Sequence, residues 1–214
     1  MLDYGAPFVY FFKDKGWLRK FAIASLLTYT VIGAAPVLGW TVEIVRRVAS
    51  SEEPVVPEFS NWKTYWRLGG QFAFINAVWL LPIALAAIVL YLPLIFANAI
   101  KPEVVLVVFG GTLCCVFVFL LVYSAAYIFF IPAMLVVLAE TGSTWQSLNP
   151  ARLWRAVRPQ FFEYLIVFLL VGVALLNVVL LLGALTLFLL LPPLLVYAGL
   201  VTAHYAGQLY RFST

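Results

Sequence analysis

Glu163-YLIVFLLVGVALLNVVLLLGALTLFLLLPPLLVYAGLVTAHYAGQLY-Arg211 decides the fold, because no side chain between Glu163 and Arg211 carries a formal charge. A helix needs about 20 apolar residues to cross the hydrocarbon core, so this stretch is roughly two crossings long. The sequence predicts a transmembrane hairpin over 161–210, two antiparallel helices joined by a tight turn near Gly183. Such a pair meets its backbone hydrogen-bonding needs without water, as the bilayer requires.

Composition agrees. Hydrophobic residues make up 65% of the chain, charged residues 10%, and the mean hydropathy is +1.06. Soluble domains are about 25% charged, so this chain lacks the polar surface of a water-soluble globule. Its net charge of +4 suits the basic cytoplasmic loops of an inner-membrane protein better than a nucleic-acid partner. Cys114 and Cys115 are adjacent within an apolar run, which suits neither a disulfide framework nor the spaced ligands of a zinc site. No cleavable signal peptide is expected, since the first basic cluster arrives only at Lys13–Lys20 and no A-x-A-like exit follows the next apolar run.

The whole chain, 1–214, reads as one all-α polytopic membrane domain with four to five transmembrane helices. Residues 1–20 set Phe8, Tyr10, Phe11 and Phe12 beside Lys13, Lys15, Arg19 and Lys20, an interfacial segment. The apolar run after it is interrupted by Gly33, Pro36 and Gly39, and Pro36 removes a helix hydrogen bond. Residues 21–45 therefore form a broken or re-entrant first helix. Glu43 stands three and four residues before Arg46 and Arg47, the spacing of an ion cluster on one helix face. Pro54 and Pro57 exclude a continuous helix, so 51–67 is an interfacial loop, with Ser60 capping a short helix that carries Trp62, Tyr65 and Trp66. Uncharged stretches at 68–100 and 104–139 each predict one long, bent transmembrane helix, joined by a tight connection at Lys101.

The surface is most legible at 144–159, an amphipathic interfacial helix. Asn149 caps it and Pro150 takes the first position, where a missing N–H costs nothing. Leu153, Trp154, Ala156 and Val157 gather on one side and Arg152, Arg155 and Arg158 on the other, and Pro159 ends the helix. Arg152, Arg155, Arg158 and Trp154 are the expected contacts with lipid headgroups.

Orientation follows from the cations. If 21–45 spans, Lys and Arg divide eight against five across the membrane; if it dips in and returns, they divide twelve against one. The positive-inside rule favours the second arrangement, with both termini in the cytoplasm.

The sequence resembles the bacterial and archaeal membrane proteins of domain-of-unknown-function family 4013. The resemblance rests on FFKDKGWLRK (11–20), APVLGWTVEIVRRV (35–48), VVPEFSNW (55–62) ahead of Gly69-Gly70, TGSTWQSLNPARLWRAVRP (141–159) and AHYAGQLYR (203–211). It implies a polytopic membrane fold in the cytoplasmic membrane of a prokaryote and supplies no activity. Phe59 and Asn61 make the 55–62 loop less acidic than the family's usual form, which weighs against a cation-related role there.

His204, the only histidine, is an ionisable group within an apolar helix and so a functional candidate by default, as a proton relay or an axial ligand to a haem or chlorophyll. Without a carboxylate or cysteine partner in its stretch it makes a poor metal site. A neutral ring bonded to a neighbouring helix is the favoured expectation. Asn76 and Asn177 are read with it as polar packing groups that bond across helix interfaces. Glu140 and Glu163 flank the arginine-rich helix and are expected to pair with its arginines. No G-x-S-x-G, H-E-x-x-H or phosphate-binding loop occurs. The expected function is thus non-enzymatic, a scaffold or accessory subunit that meets lipids and other membrane subunits, with no cofactor beyond bound lipid. The alternative is a small transporter or lipid-handling protein with its site at the broken first helix, whose mark would be a polar-lined cavity reached by Asn76, Asn177 and His204.

Overall fold

The computed structural model describes residues 2–53, 55–95 and 102–211. Pro54, Asn98 and the expected connection at Lys101 lie outside them. The described elements are helical: α1 (Ala6–Val9, continued by a 3-10 turn Tyr10–Lys13), α2 (Trp17–Thr28), α3 (Val31–Ser50), α4 (Trp62–Ile95), α5 (Pro102–Thr141), α6 (Thr144–Leu148), α7 (Pro150–Val157), α8 (Phe161–Val167), α9 (Leu176–Leu185) and α10 (Leu191–Arg211). They form two compact units, residues 1–75 with 129–214, and residues 76–128.

In the first unit the core forms around α10, which buries Val196, Leu200, Val201, Ala203, His204, Tyr205, Ala206, Gly207 and Leu209. It runs in the same direction as α3, since Gly199 meets Thr41 and Gly207 meets Val48. A Cβ on Gly207 would come within 2.5 Å of the Val48 Cβ. The same economy of space sets the crossing of α3 and α4. A Cβ on Gly39 would overlap the Tyr65 carbonyl, and one on Gly69 the Ala35 carbonyl. Small residues let the two backbones touch, the usual device where dispersion rather than water exclusion drives packing.

Residues 21–45 fall on two helices. The boundary lies at Tyr29–Thr30, upstream of the glycine–proline stretch expected to interrupt the run. Thr30 is extended, and its hydroxyl accepts the Gly33 N–H at 3.0 Å, capping α3. Pro36 lies inside α3. The glycines serve the turn and the crossing instead: a Cβ on Gly33 would overlap the Thr30 hydroxyl and the Leu27 carbonyl. Beyond Ser51, which ends α3 with a left-handed φ of 57°, the loop folds back along the helix. The Trp40 indole donates to the Pro57 carbonyl at 2.9 Å. Phe59 stacks on Trp40 and Trp62 at 4.7 and 5.5 Å.

Two boundaries differ from the sequence reading. Helix α4 is continuous from Trp62 and starts just after Asn61, so the short helix capped by Ser60 and the following span are one element. Gly69-Gly70 does not break it, because Gly69 sits at the crossing. The helix expected over 144–159 is divided at Asn149 into α6 and α7. Helix α7 ends at Val157, just before Pro159, which lies in a 3-10 turn, Arg158–Gln160, that leads into α8, and a π-helical stretch at Phe168–Leu175 joins α8 to α9. Asn149 does cap α7, its side chain accepting the Ala151 N–H at 3.0 Å, with Pro150 in the first turn.

Among the described residues three stretches, not the expected four to five, are long and apolar enough to cross a membrane: Trp62–Tyr91, Leu106–Thr141 and Pro150–Leu185; α10, the second limb of the expected transmembrane hairpin, is not one of them. Their most apolar windows are only 6%, 6% and 11% buried. Apolar surface this bare points to a membrane protein.

Candidate functional site

A cluster of polar groups of the first unit lies at one end, where the N-terminal segment lies along α10. The Asp3 carboxylate accepts the Gly5 and Ala6 N–H groups, both at 3.0 Å, and so starts α1. These two hydrogen bonds hold its carboxyl below the usual carboxylate range. From there the segment and α10 are joined rung by rung. The Asp3 N–H donates to Gln208 Oε1 at 3.0 Å and Gln208 Nε2 donates to the Asp3 carbonyl at 3.2 Å. Tyr205 donates to the Tyr4 carbonyl at 2.7 Å, and Tyr197 to that of Phe8 at 3.1 Å. In return Tyr10 donates to the Leu200 carbonyl at 3.2 Å.

His204 sits within this lacing. Its ring lies 4.3 Å from that of Tyr10, and Nδ1 is 3.1 Å from Gln208 Nε2. Because the Asp3 N–H requires the amide oxygen of Gln208, the amide nitrogen faces the imidazole. Nδ1 of a neutral ring is then the acceptor and Nε2 carries the proton.

An ionic knot lies beside it. The Lys20 ammonium is 3.0 Å from Asp14, 3.3 Å from Glu58 and 2.8 Å from the Val56 carbonyl. Lys20 and Asp14 side chains are 5% and 10% exposed and Glu58 is 65% exposed, so the Asp14 pair is the strong one. The contacts with Val56 and Glu58 place the start of α2 beside the loop that follows α3. A cavity of about 570 Å³ opens here, bordered by Lys13, Lys15, Lys20, Glu53, Glu58 and His204. A second of about 310 Å³ adjoins His204, Gln208, Asp3 and Arg211.

The other expected residues fall as follows. Glu43 lies 3.7 Å from both Arg46 and Arg47, and Arg46 Nε also donates to the Ala139 carbonyl at the end of α5, 3.0 Å away. Arg152 pairs with Glu140 at 3.4 Å, whereas Arg155, Arg158 and Trp154 are exposed. Leu153 and Val157 are the buried face of α7. Asn177 does not bond across a helix interface: its amide donates to the Val173 carbonyl of its own turn at 2.6 Å. In the second unit Asn76 accepts from the Tyr127 hydroxyl. Asn177 does not border either of the two cavities beside His204. Cys114 and Cys115 are free and exposed. Among the described residues no three His, Cys, Asp or Glu side chains are grouped to hold a metal ion.

Sequence reasoning missed the lacing of residues 3–10 to α10 and the burial of Lys20. The partners are 189 to 205 residues apart in the first case and six and 36 apart in the second, separations to which helical periodicity is blind. The one available signal was the row of Tyr197, Tyr205 and Gln208, polar tips on an otherwise apolar helix.

Residues 22–203 match the model of a family described as proteins of unknown function, DUF4013. The chain belongs to this family. No curated protein and no solved structure matches it. The match runs from within α2 into α10, including the α3–α4 crossing, and leaves Asp3, Lys20, His204 and Gln208 outside.

Proposed function

We propose that the protein is a non-enzymatic, multi-spanning subunit or scaffold of a larger assembly in the cytoplasmic membrane of a prokaryote. Its ionic end and both termini face the cytoplasm, and α2–α3 enters the membrane and returns to the same side. The observation that carries this reading is the contrast between a tight core and bare flanks. Helices α3, α4 and α10 meet at Gly39, Gly69 and Gly207 with no room for a side chain. The apolar faces of the three long stretches are left to neighbours. The same packing supports a scaffold over a binding site at 33–39, because the Tyr65 backbone fills the space at Gly39. Arg155, Arg158 and Trp154, which the fold leaves exposed, supply the contacts with lipid headgroups.

A small transporter or lipid-handling role is the second reading, favoured by the 570 Å³ cavity between the start of α2, the loop after α3 and His204. Purification from the native membrane in a gentle detergent, followed by mass spectrometry, separates the two. Stoichiometric protein partners are expected. A lone chain carrying only lipid would overturn the subunit reading and direct mutagenesis to Lys13, Lys15 and His204.

A further inference from the structure

The turn between α9 and α10 is built for a medium without water. Its backbone donors are satisfied within the chain. Thr186, Leu187, Phe188, Leu189 and Leu191 give their N–H groups to the carbonyls of Leu182, Ala184, Gly183, Thr186 and Phe188, at 2.6 to 3.2 Å. The Leu190 N–H goes to the Thr186 hydroxyl at 3.4 Å, and the Leu194 N–H to the Leu190 carbonyl at 3.1 Å. The two positions between, where the first turn of α10 would leave orphan donors, are Pro192 and Pro193, which have none. A turn in water needs none of this, since water supplies partners.

Its side chains agree. Leu187 and Phe188 adopt left-handed backbone conformations, φ 50° and 64°, where an aqueous turn would use glycine or asparagine. Leu185, Leu187, Phe188 and Leu189 are 72%, 89%, 62% and 67% exposed. No charged residue occurs in this turn or in the α2–α3 turn.

Depth follows from the connection between the two turns. The Tyr29 hydroxyl donates to the Leu189 carbonyl, so the α9–α10 turn lies level with the end of α2. Exposed Arg19 and the ionic knot at Lys20 belong at the headgroups. Nine residues separate Lys20 from Tyr29, a helical rise of about 14 Å, which is about half the ~30 Å hydrocarbon thickness.

We propose that the α9–α10 turn lies within the hydrocarbon of the bilayer beside the α2–α3 turn, and that Leu185, Leu187, Phe188 and Leu189 pack against lipid acyl chains. The inference rests on the membrane reading above.

The test uses full-length protein with Cys114→Ser and Cys115→Ser, carrying Leu187→Cys, or Leu185→Cys as a second position with ordinary helical backbone. Ser51→Cys is the reference. Sealed vesicles of each orientation are treated with a membrane-impermeant maleimide, and bimane-labelled protein is reconstituted with lipids brominated along the acyl chain. The expected result is labelling at 187 and 185 at least tenfold slower than at Ser51→Cys from both faces, with strong bromine quenching. Rapid labelling from the extracytoplasmic face would place the turn in water and overturn the proposal. Protection without quenching would mean that protein covers the turn, a partner or a second copy, and would overturn it as well. Extraction of the unmodified protein by alkaline carbonate would instead refute the membrane reading itself.

Discussion

Lys20 shows what a single residue does that its neighbours in sequence do not reveal. In the run FFKDKGWLRK it is one of four cations expected at the headgroup level, and Lys13, Lys15 and Arg19 are indeed exposed. Lys20 instead turns inward, and its ammonium joins the start of α2 to Asp14 and to the loop carrying Val56 and Glu58. Removing one member of a buried ion pair leaves the other charge without compensation, at a cost of about 3–5 kcal/mol. Lys20→Ala is expected to lower the thermal midpoint in detergent by many degrees. Lys20→Met with Asp14→Leu removes both charges and is expected to recover most of that loss. Glu58→Gln should have little effect, because an exposed partner contributes at most ~1 kcal/mol. Equal loss in the single and double variants would show that packing of the lysine stem, rather than the charge, holds the segment.

At the scale of elements, the helices were legible and their junctions were not. Hydrophobic runs and the Asn149-Pro150 cap predict α5, α7 and the last hairpin within a few residues. The glycines of α3 read as interruptions, yet Gly39, like Gly69 of α4, is a contact point, since flexibility and small size are indistinguishable in one sequence. Gly39→Leu should force α3 and α4 apart, at a cost of about 1–3 kcal/mol or more for overpacking. Gly70, one residue from the crossing, has open space around it. Gly70→Ala should be neutral or stabilising by up to about 1 kcal/mol, from helix propensity alone. Thermal unfolding of the two variants side by side checks the assignment, and similar midpoints would refute it.

The first unit gathers its charges. Within the first unit, Lys20 reaches Glu58, Arg46 reaches the end of α5, Arg152 reaches Glu140, and Gln208 holds Asp3. Segments widely separated in sequence thereby share one polar end, the end proposed to face the cytoplasm. A membrane-impermeant thiol reagent should therefore modify Ser51→Cys only from the cytoplasmic face. Modification from outside would reverse the arrangement and make 21–45 a full crossing.

The amino-acid sequence by itself determined the medium and the secondary structure, because both follow from local quantities: charge density, apolar run length and cap residues. It also determined the arginine-rich face of α7, which periodicity shows directly. Where the first run turns, which glycines are seams, and that residues 3–10 bind the final helix were decided only by tertiary structure. Each depends on atoms brought together from distant positions, where a carbonyl that needs a donor or a backbone that needs space leaves no periodic trace in the chain.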